Sequence, residues 1–552
     1  MDVEHATIVS DLSQCRPAGA LSERRARWRW TKVPYQAGGI AGTLLMAGPE
    51  TQAPPVTLGL GVQGWHGIFL GVYSDQWAGP DCLRVKLSGD PCFVPVVRAD
   101  PGFDSTILID DVFWKYADLT GQDLTIAQMA SGSGRQAGLA YVRLAPLSAE
   151  EVAAVLADRR RLETRRLIAM DDNFSFYCDR RATVADIWEQ IEPYRDTDVG
   201  RLFWCAGAGG DVVSYPTRVG RVIGIAEEDF PTSAYRYVGE SMRLLLGQGV
   251  DGMQVARDYT HSLGIEFHIS LRLGAFQMFP GFDEFFTSEF YRGHPEWHCV
   301  DRDGTPIARL SYAYPEVQDH VLAVLEELAS YEPDGLNLIF TRCAPYLLYE
   351  EPLIVGYRAR TGVDPRQLDE HDPGYLRYRG EVVTGFMRRV RALCAHKTSR
   401  RGQRLLLSGN VLNNEAENLF YGLDVATWAR EGILDLMVPD TWIGKPIDFE
   451  YFAGLTRGTP CEIYAQILPR RMPAGEYRRR ALQAYAAGAQ GLCLWDASGR
   501  YPILPEWNTA RRLGHKDELT ADGDGADQYS CAIPVKTLGG YTVDRYPPYW
   551  SY

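Results

Sequence analysis

From Leu167 onward the chain repeats one grammar, an apolar run of strand length followed by an amphipathic helical pattern. The candidate strands are LIAMD (167–171), RLFWCA (201–206), IEFHISL (265–271), GLNLIFT (335–341), RLLLSG (404–409), LDLMVP (434–439), EIYAQIL (462–468) and GLCLWD (491–496). Helical patterns lie between them, as in VQDHVLAVLEELASY (317–331) and GEYRRRALQAYAAGA (475–489). Eight such units predict an α/β fold, a closed parallel (β/α)8 barrel of the TIM type, over residues 161–512. The alternative is an open doubly wound sheet. That fold normally carries a phosphate-binding glycine turn after its first strand, and this chain has none there.

The flanks read differently. Residues 1–160 hold short apolar runs (VTLGLGV, HGIFLGVY, LRVKLSG, FVPVV, STILIDDVFW) between Gly, Pro and Asp clusters, without helical periodicity. That spacing predicts an N-terminal antiparallel β-sandwich domain. SAEEVAAVLADRR (148–160) leads out of it as a helix, with Ser148 and Glu151 as a capping box. After the acidic loop TADGDGADQ, residues 513–552 return to a β pattern in CAIPVKTLGGYTVDRY. This C-terminal β extension is expected to add a strand to the N-terminal domain.

Charge and composition narrow the partners. A net charge of −14 argues against nucleic acid, because phosphate binding needs a basic surface. A neutral sugar faces no such barrier, and 13 Trp and 30 Tyr supply flat rings for a carbohydrate substrate. No stretch of about 18 apolar residues predicts a membrane span. The N-terminus lacks a basic segment followed by an apolar run. The 11 cysteines are scattered singly with no C-x-x-C pair, which suits reduced thiols and a cytoplasmic protein better than disulfides or zinc. HPEWH (294–298) spaces two histidines four apart, but Pro295 and the flanking residues predict a loop, so no metal is expected. No cofactor is implied by any phosphate-binding or nucleophile motif. A homo-oligomer is left open, since the N-terminal domain could form an oligomer contact, a wall of the barrel or a sugar-binding module.

In a barrel, functional side chains project from the C-terminal ends of the strands. That rule selects Asp171 and Asp172 after strand one, His268 and Arg272 on strand three, and Arg342 after strand four with Glu350 and Glu351 beyond it. It further selects Asn410 after strand five, Asp440 after strand six, Gln466 on strand seven, and Trp495 and Asp496 at strand eight. Glycoside hydrolysis uses two carboxyl groups, one protonating the leaving oxygen and one attacking the anomeric carbon or activating water. Asp440 and Glu350 are the expected pair. Asp440 directly follows an apolar strand and precedes Trp442, and Glu350 sits in a long loop that could fold over the same mouth. His268 and Asp172 would orient sugar hydroxyl groups, Trp442 and Trp495 would stack on ring faces, and Asn410 and Asp496 complete the expected substrate-binding set. Arg272 and Arg342 could clamp a carboxylate or, the favoured reading, pair with nearby acids.

The stretches LRLGAF, FYRGHPEWHCVDRDGTP, LSYAYPEVQDHVLAVLEEL, DGLNLIFTR, YEEPLIVGYRARTGVDPRQLDEHDPGYLRYRGEVVTGFMRRVR and YGLDVATWAREGILDLMVP resemble, in order and spacing, the glycosyl hydrolase family-ten-like barrel proteins of bacteria. The resemblance covers residues 161–512 and implies a TIM barrel and glycosidic bond hydrolysis. One departure stands out: relatives carry an Asp three residues before the strand-four Arg, where this chain has Ile339. Two further readings therefore stay open. One is a carbohydrate lyase or epimerase built on His268, Arg272 and Arg342, and the other is a sugar-binding barrel without catalysis.

Overall fold

The structure, a computed structural model, describes residues 5–74, 82–97, 108–129, 136–440, 445–467, 472, 474–495, 507–520 and 530–543. Its centre is a closed barrel of eight strands. They are β1 (Leu167–Asp171), β2 (Val199–Cys205), β3 (Glu266–Arg272), β4 (Gly335–Ile339), β5 (Leu406–Val411), β6 (Leu436–Pro439), β7 (Glu462–Ile467) and β8 (Gly491–Trp495). Each strand pairs in parallel with the next, and β8 returns to β1 with Leu492 opposite Leu167. All eight coincide with the apolar runs read from the sequence. A strand of this kind is apolar throughout because one face meets the ring of helices and the other fills the barrel.

The helices follow the same logic. Pro315–Ala329 opens with Pro at its first turn, where the missing N–H costs nothing, and buries Val317, Val321, Val324, Leu325 and Leu328 along one stripe. Ala474–Ala486 buries Tyr477, Ala481 and Ala484 in the same manner. Among the described residues no helix is long and apolar enough to cross a membrane.

Before the barrel, residues between Thr7 and Pro146 form most of a nine-stranded sheet and all of a four-stranded one, counted among the described residues. Val56, Leu58, Val85 and Ile126 of the smaller sheet share one apolar cluster with Leu45, Leu70, Val72 and Val142 of the larger. Tyr35, Tyr73 and Tyr141 belong to another cluster, as the two-residue period of a strand requires. The C-terminal strand Ser530–Leu538 joins the larger sheet, antiparallel to Leu108–Asp118 and to Trp30–Ala37. The connecting helix Ala149–Asp158 carries the capping box of Ser148 and Glu151.

That helix is tied to the foot of the barrel by a buried histidine. His515 is 5 % exposed, with Nδ1 2.8 Å from Asp198 and Nε2 2.8 Å from Asp158, whose carboxylate also takes Arg512 at 2.6 Å. Burial opposes protonation of the imidazole, but the Asp158 and Asp198 hydrogen bonds outweigh it and hold the pKa up at about 9. A pKa raised on folding contributes stability in full below the ordinary value of 6.5, and that stability is lost as pH rises through about 9. A shift of this size corresponds to about 3 kcal/mol. His515→Gln is therefore expected to lower the melting temperature clearly at pH 6 and much less at pH 9.5, as read by circular dichroism melts of both proteins. An equal loss at both pH values would remove the charged bridge.

Candidate active site

The barrel strands sort into two faces. Ala169, Leu202, Phe267, Leu338, Leu407, Ala465 and Leu494 pack outward with the helices. Met170, Phe203, Ile339, Val438, Tyr464, Cys493 and Trp495 form a separate cluster inside. By the same two-residue period, His268, Ser270 and Arg272 of β3 point inward, as do Asn337, Asn410 and Gln466.

Across the barrel runs a chain of buried amides. Asn337 Nδ2 donates to Asn410 Oδ1 at 2.7 Å, and Asn410 Nδ2 donates to Gln466 Oε1 at 3.1 Å. Asn337 Oδ1, Gln466 Nε2 and the Ser270 hydroxyl are buried without a protein partner. Buried polar groups in apolar strands are costly unless hydrogen-bonded, so these atoms mark an unmet polar demand inside the barrel. Gln466 is one of the strand-end residues selected from the sequence, whereas Asn337 is not among them. The signal was there, because both are amides on the inward phase of otherwise apolar strands.

Asp440 follows β6 directly and is 3 % exposed. Its amide donates to the Val411 carbonyl at 3.0 Å, which fixes it beside β5. Burial first, and then the charge of Asp440, push the Cys493 thiol on β8 far up, so this carboxylate acts across the interior. Trp495, at the end of β8, is also buried, and the Arg342 guanidinium lies 5.4 Å from its ring centroid. Arg272 ends β3 and donates to the Ala208 carbonyl. Asp172, one residue past β1, accepts from the amides of Phe174 (3.1 Å) and Ser175 (2.8 Å) and from the Ser175 hydroxyl. It therefore shapes the turn into the short helix Ser175–Asp179. Beside it, Asp171 is buried against Gln190, and burial together with the Asp172 charge raises its pKa.

Two expected positions are corrected. Glu350 does not lie open over the mouth but is fully buried just before the helix Glu351–Thr361. Its Oε1 accepts from the Val300 amide at 2.9 Å and its Oε2 from the Leu348 amide at 2.9 Å, so the carboxylate locks two loops together. Burial raises its pKa against the pull of those amides. His268 does not meet the mouth either. It is fully buried, with Nε2 3.4 Å from Glu266 at the start of β3, and stacks on Phe203 with centroids 5.0 Å apart. Glu266 is itself held by Arg201 at 2.8 Å, so His268 belongs to the N-terminal half of the barrel. Room for the imidazole comes from Gly335, where a Cβ would fall on the ring and 2.8 Å from the Leu406 carbonyl oxygen. Gly335→Ala is expected to cost about 1–3 kcal/mol by overpacking, measurable by urea denaturation. A neutral result would show that His268 can swing aside.

Trp442 and Asp496 lie outside the described residues. HPEWH forms a short turn over Pro295–Trp297, with His294 Nδ1 3.0 Å from Glu296 and His298 Nε2 3.1 Å from the Tyr291 carbonyl.

No family model matches the chain, and no curated protein does. Similar solved structures include an α-galactosidase from Thermus thermophilus in complex with p-nitrophenyl α-D-galactopyranoside. It is 14% identical, with 88% of this chain and 94% of that one covered and a TM-score of 0.34. The catalytic domain of a β-amylase from Paenibacillus polymyxa is 9% identical, covering 65% and 98%, with a TM-score of 0.40. A β-(1,4)-mannanase from Podospora anserina is 12% identical, covering 94% and 99%, with a TM-score of 0.30. These proteins are glycoside hydrolases, but likeness at such values carries no argument about chemistry, and the barrel assignment here rests on the strand register itself.

Proposed function

We propose that this chain is a glycoside hydrolase that cleaves a glycosidic bond at the C-terminal mouth of the barrel, with Asp440 as the carboxyl group at the reacting centre. The observation that carries this reading is the placement of Asp440. It is a buried carboxylate directly after β6 that continues the inward phase of that strand and is fixed beside β5 by the bond of its amide to the Val411 carbonyl. Arg342 and Trp495 would form the wall against which a sugar ring stacks, and Arg272 and Asn410 would hold hydroxyl groups near it. Asp172 would be the second carboxyl group: it continues the inward phase of β1 and is part-exposed, and its bonds to Phe174 and Ser175 hold it in place. Glu350, spent on two amides, would act by bracing the loop that carries Arg342. The N-terminal sheets fit a sandwich domain of residues 1–160, and the family-ten-like resemblance is retained as part of this reading.

The test is a panel of aryl glycosides, spanning common hexoses and both anomers, with release of the aryl group followed in purified full-length protein. Turnover of at least one glycoside supports hydrolysis, and turnover of none rejects it.

A second reading is favoured by one observation. The inward positions of β4 are Asn337 and Ile339, and neither is an acid. A sugar-binding barrel would bind oligosaccharides without releasing product. The lyase reading is the weaker one, because His268, the base it needs, is fully buried beside Glu266 at the start of β3 and away from the mouth.

A further inference from the structure

Beside the mouth, the segments after β4, β5 and β6 enclose a cavity of about 390 Å³ that the proposed reaction does not use. Its walls include Thr341, His371, Glu417, Phe420, Tyr421 and Lys445. Phe420 and Tyr421 meet edge to face, with centroids 5.1 Å apart at 87°. The Phe420 ring is fixed from behind by Arg379, whose guanidinium lies 5.7 Å from the centroid and donates to the Phe420 carbonyl at 2.8 Å. Glu417 and Lys445 form an ion pair with each other at the rim. The volume is in the range of small-ligand sites, and it stands at the face where barrels carry function.

We propose that this cavity is a subsite for an uncharged sugar unit of an oligosaccharide whose neighbouring unit occupies the mouth; it rests on the carbohydrate reading above and adds the substrate class. The chemistry points this way for two reasons. Phe420, held rigid by Arg379 and by the His371 ring 5.1 Å away, forms with Tyr421 an apolar wall that suits the C–H face of a pyranose. Glu417 and Lys445 neutralise each other in the wall, so hydroxyl groups can donate to Glu417 and accept from Lys445 without separating the pair. A uronate would have to compete with Glu417 for Lys445 and would face carboxylate repulsion in an acidic protein.

Calorimetric titration of the full-length protein decides the matter, with maltotriose, mannotriose, cellotriose and trigalacturonate as probes. The measurement is repeated with Ala416→Trp, which fills the cavity from an exposed lining position, and with Glu417→Gln, which leaves Lys445 without its partner. At least one neutral trisaccharide is expected to bind wild type, and both variants to weaken it about tenfold or more. Trigalacturonate is expected to bind wild type more weakly than the neutral probes and to gain in Glu417→Gln. Three results overturn the subsite: no binding of any neutral probe, binding unchanged in both variants, or preference of wild type for trigalacturonate. Aryl monosaccharide turnover reports separately on the mouth, so loss of the subsite and loss of the hydrolase reading are told apart.

Discussion

Asp440→Asn is expected to lower turnover of aryl glycosides by about 10²- to 10⁴-fold, the range that a positioned acid or base contributes. Asparagine keeps the shape and the backbone bond to Val411 but neither holds a negative charge nor exchanges a proton at the anomeric centre. The bound sugar loses little, so KM is expected to move far less than kcat. Sugar binding by this variant, measured directly, then separates a damaged catalyst from a damaged fold. If Asp440→Asn kept wild-type turnover, the carboxyl role would pass from this residue. If wild type and variant alike bound sugar without turnover, the barrel would be a binding protein.

The second large effect is on stability. Removing the Glu350 side chain leaves the part-buried amides of Val300 and Leu348 without their acceptor. Each such orphan costs about 1–3 kcal/mol, so Glu350→Ala is expected to destabilise by about 2–6 kcal/mol. Glu350→Gln keeps one acceptor oxygen and turns an NH2 toward an amide that is itself a donor, so an intermediate loss is expected. Melts and urea titrations of the three proteins should rank wild type above Gln above Ala, with the folded enzyme still turning over substrate. A Glu350→Gln protein of full stability whose kcat fell a hundredfold or more would reverse the assignment and return Glu350 to the reacting pair.

The contrast between these two residues marks how far the sequence reaches. The eight apolar runs coincide with the eight strands because a barrel strand is buried on both faces, and that demand is written locally in its composition. Phase along each strand was legible as well: once a strand is placed, a period of two sends Asn337, Asn410, Gln466 and Trp495 inward, and Asp440 continues the inward phase of β6. The capping box at Ser148 and Glu151 and the start of Pro315–Ala329 were readable for the same reason, since a helix terminus is settled by the few residues around it.

Glu350 and His268 belong to the other kind of information. Glu350 lies in the same stretch whether its carboxylate opens to solvent or turns to Val300, 50 residues away in the chain. His268 sits on a strand read correctly, but its depth depends on the stagger of the closed barrel and on space left by Gly335 across the β3–β4 register. The cavity under Glu417 and Lys445 likewise needs three loops brought side by side. Strand and helix identity follow from short-range periodicity and were therefore determined by the sequence alone. Which polar atoms meet is settled by contacts between distant segments, and only the tertiary structure decided it.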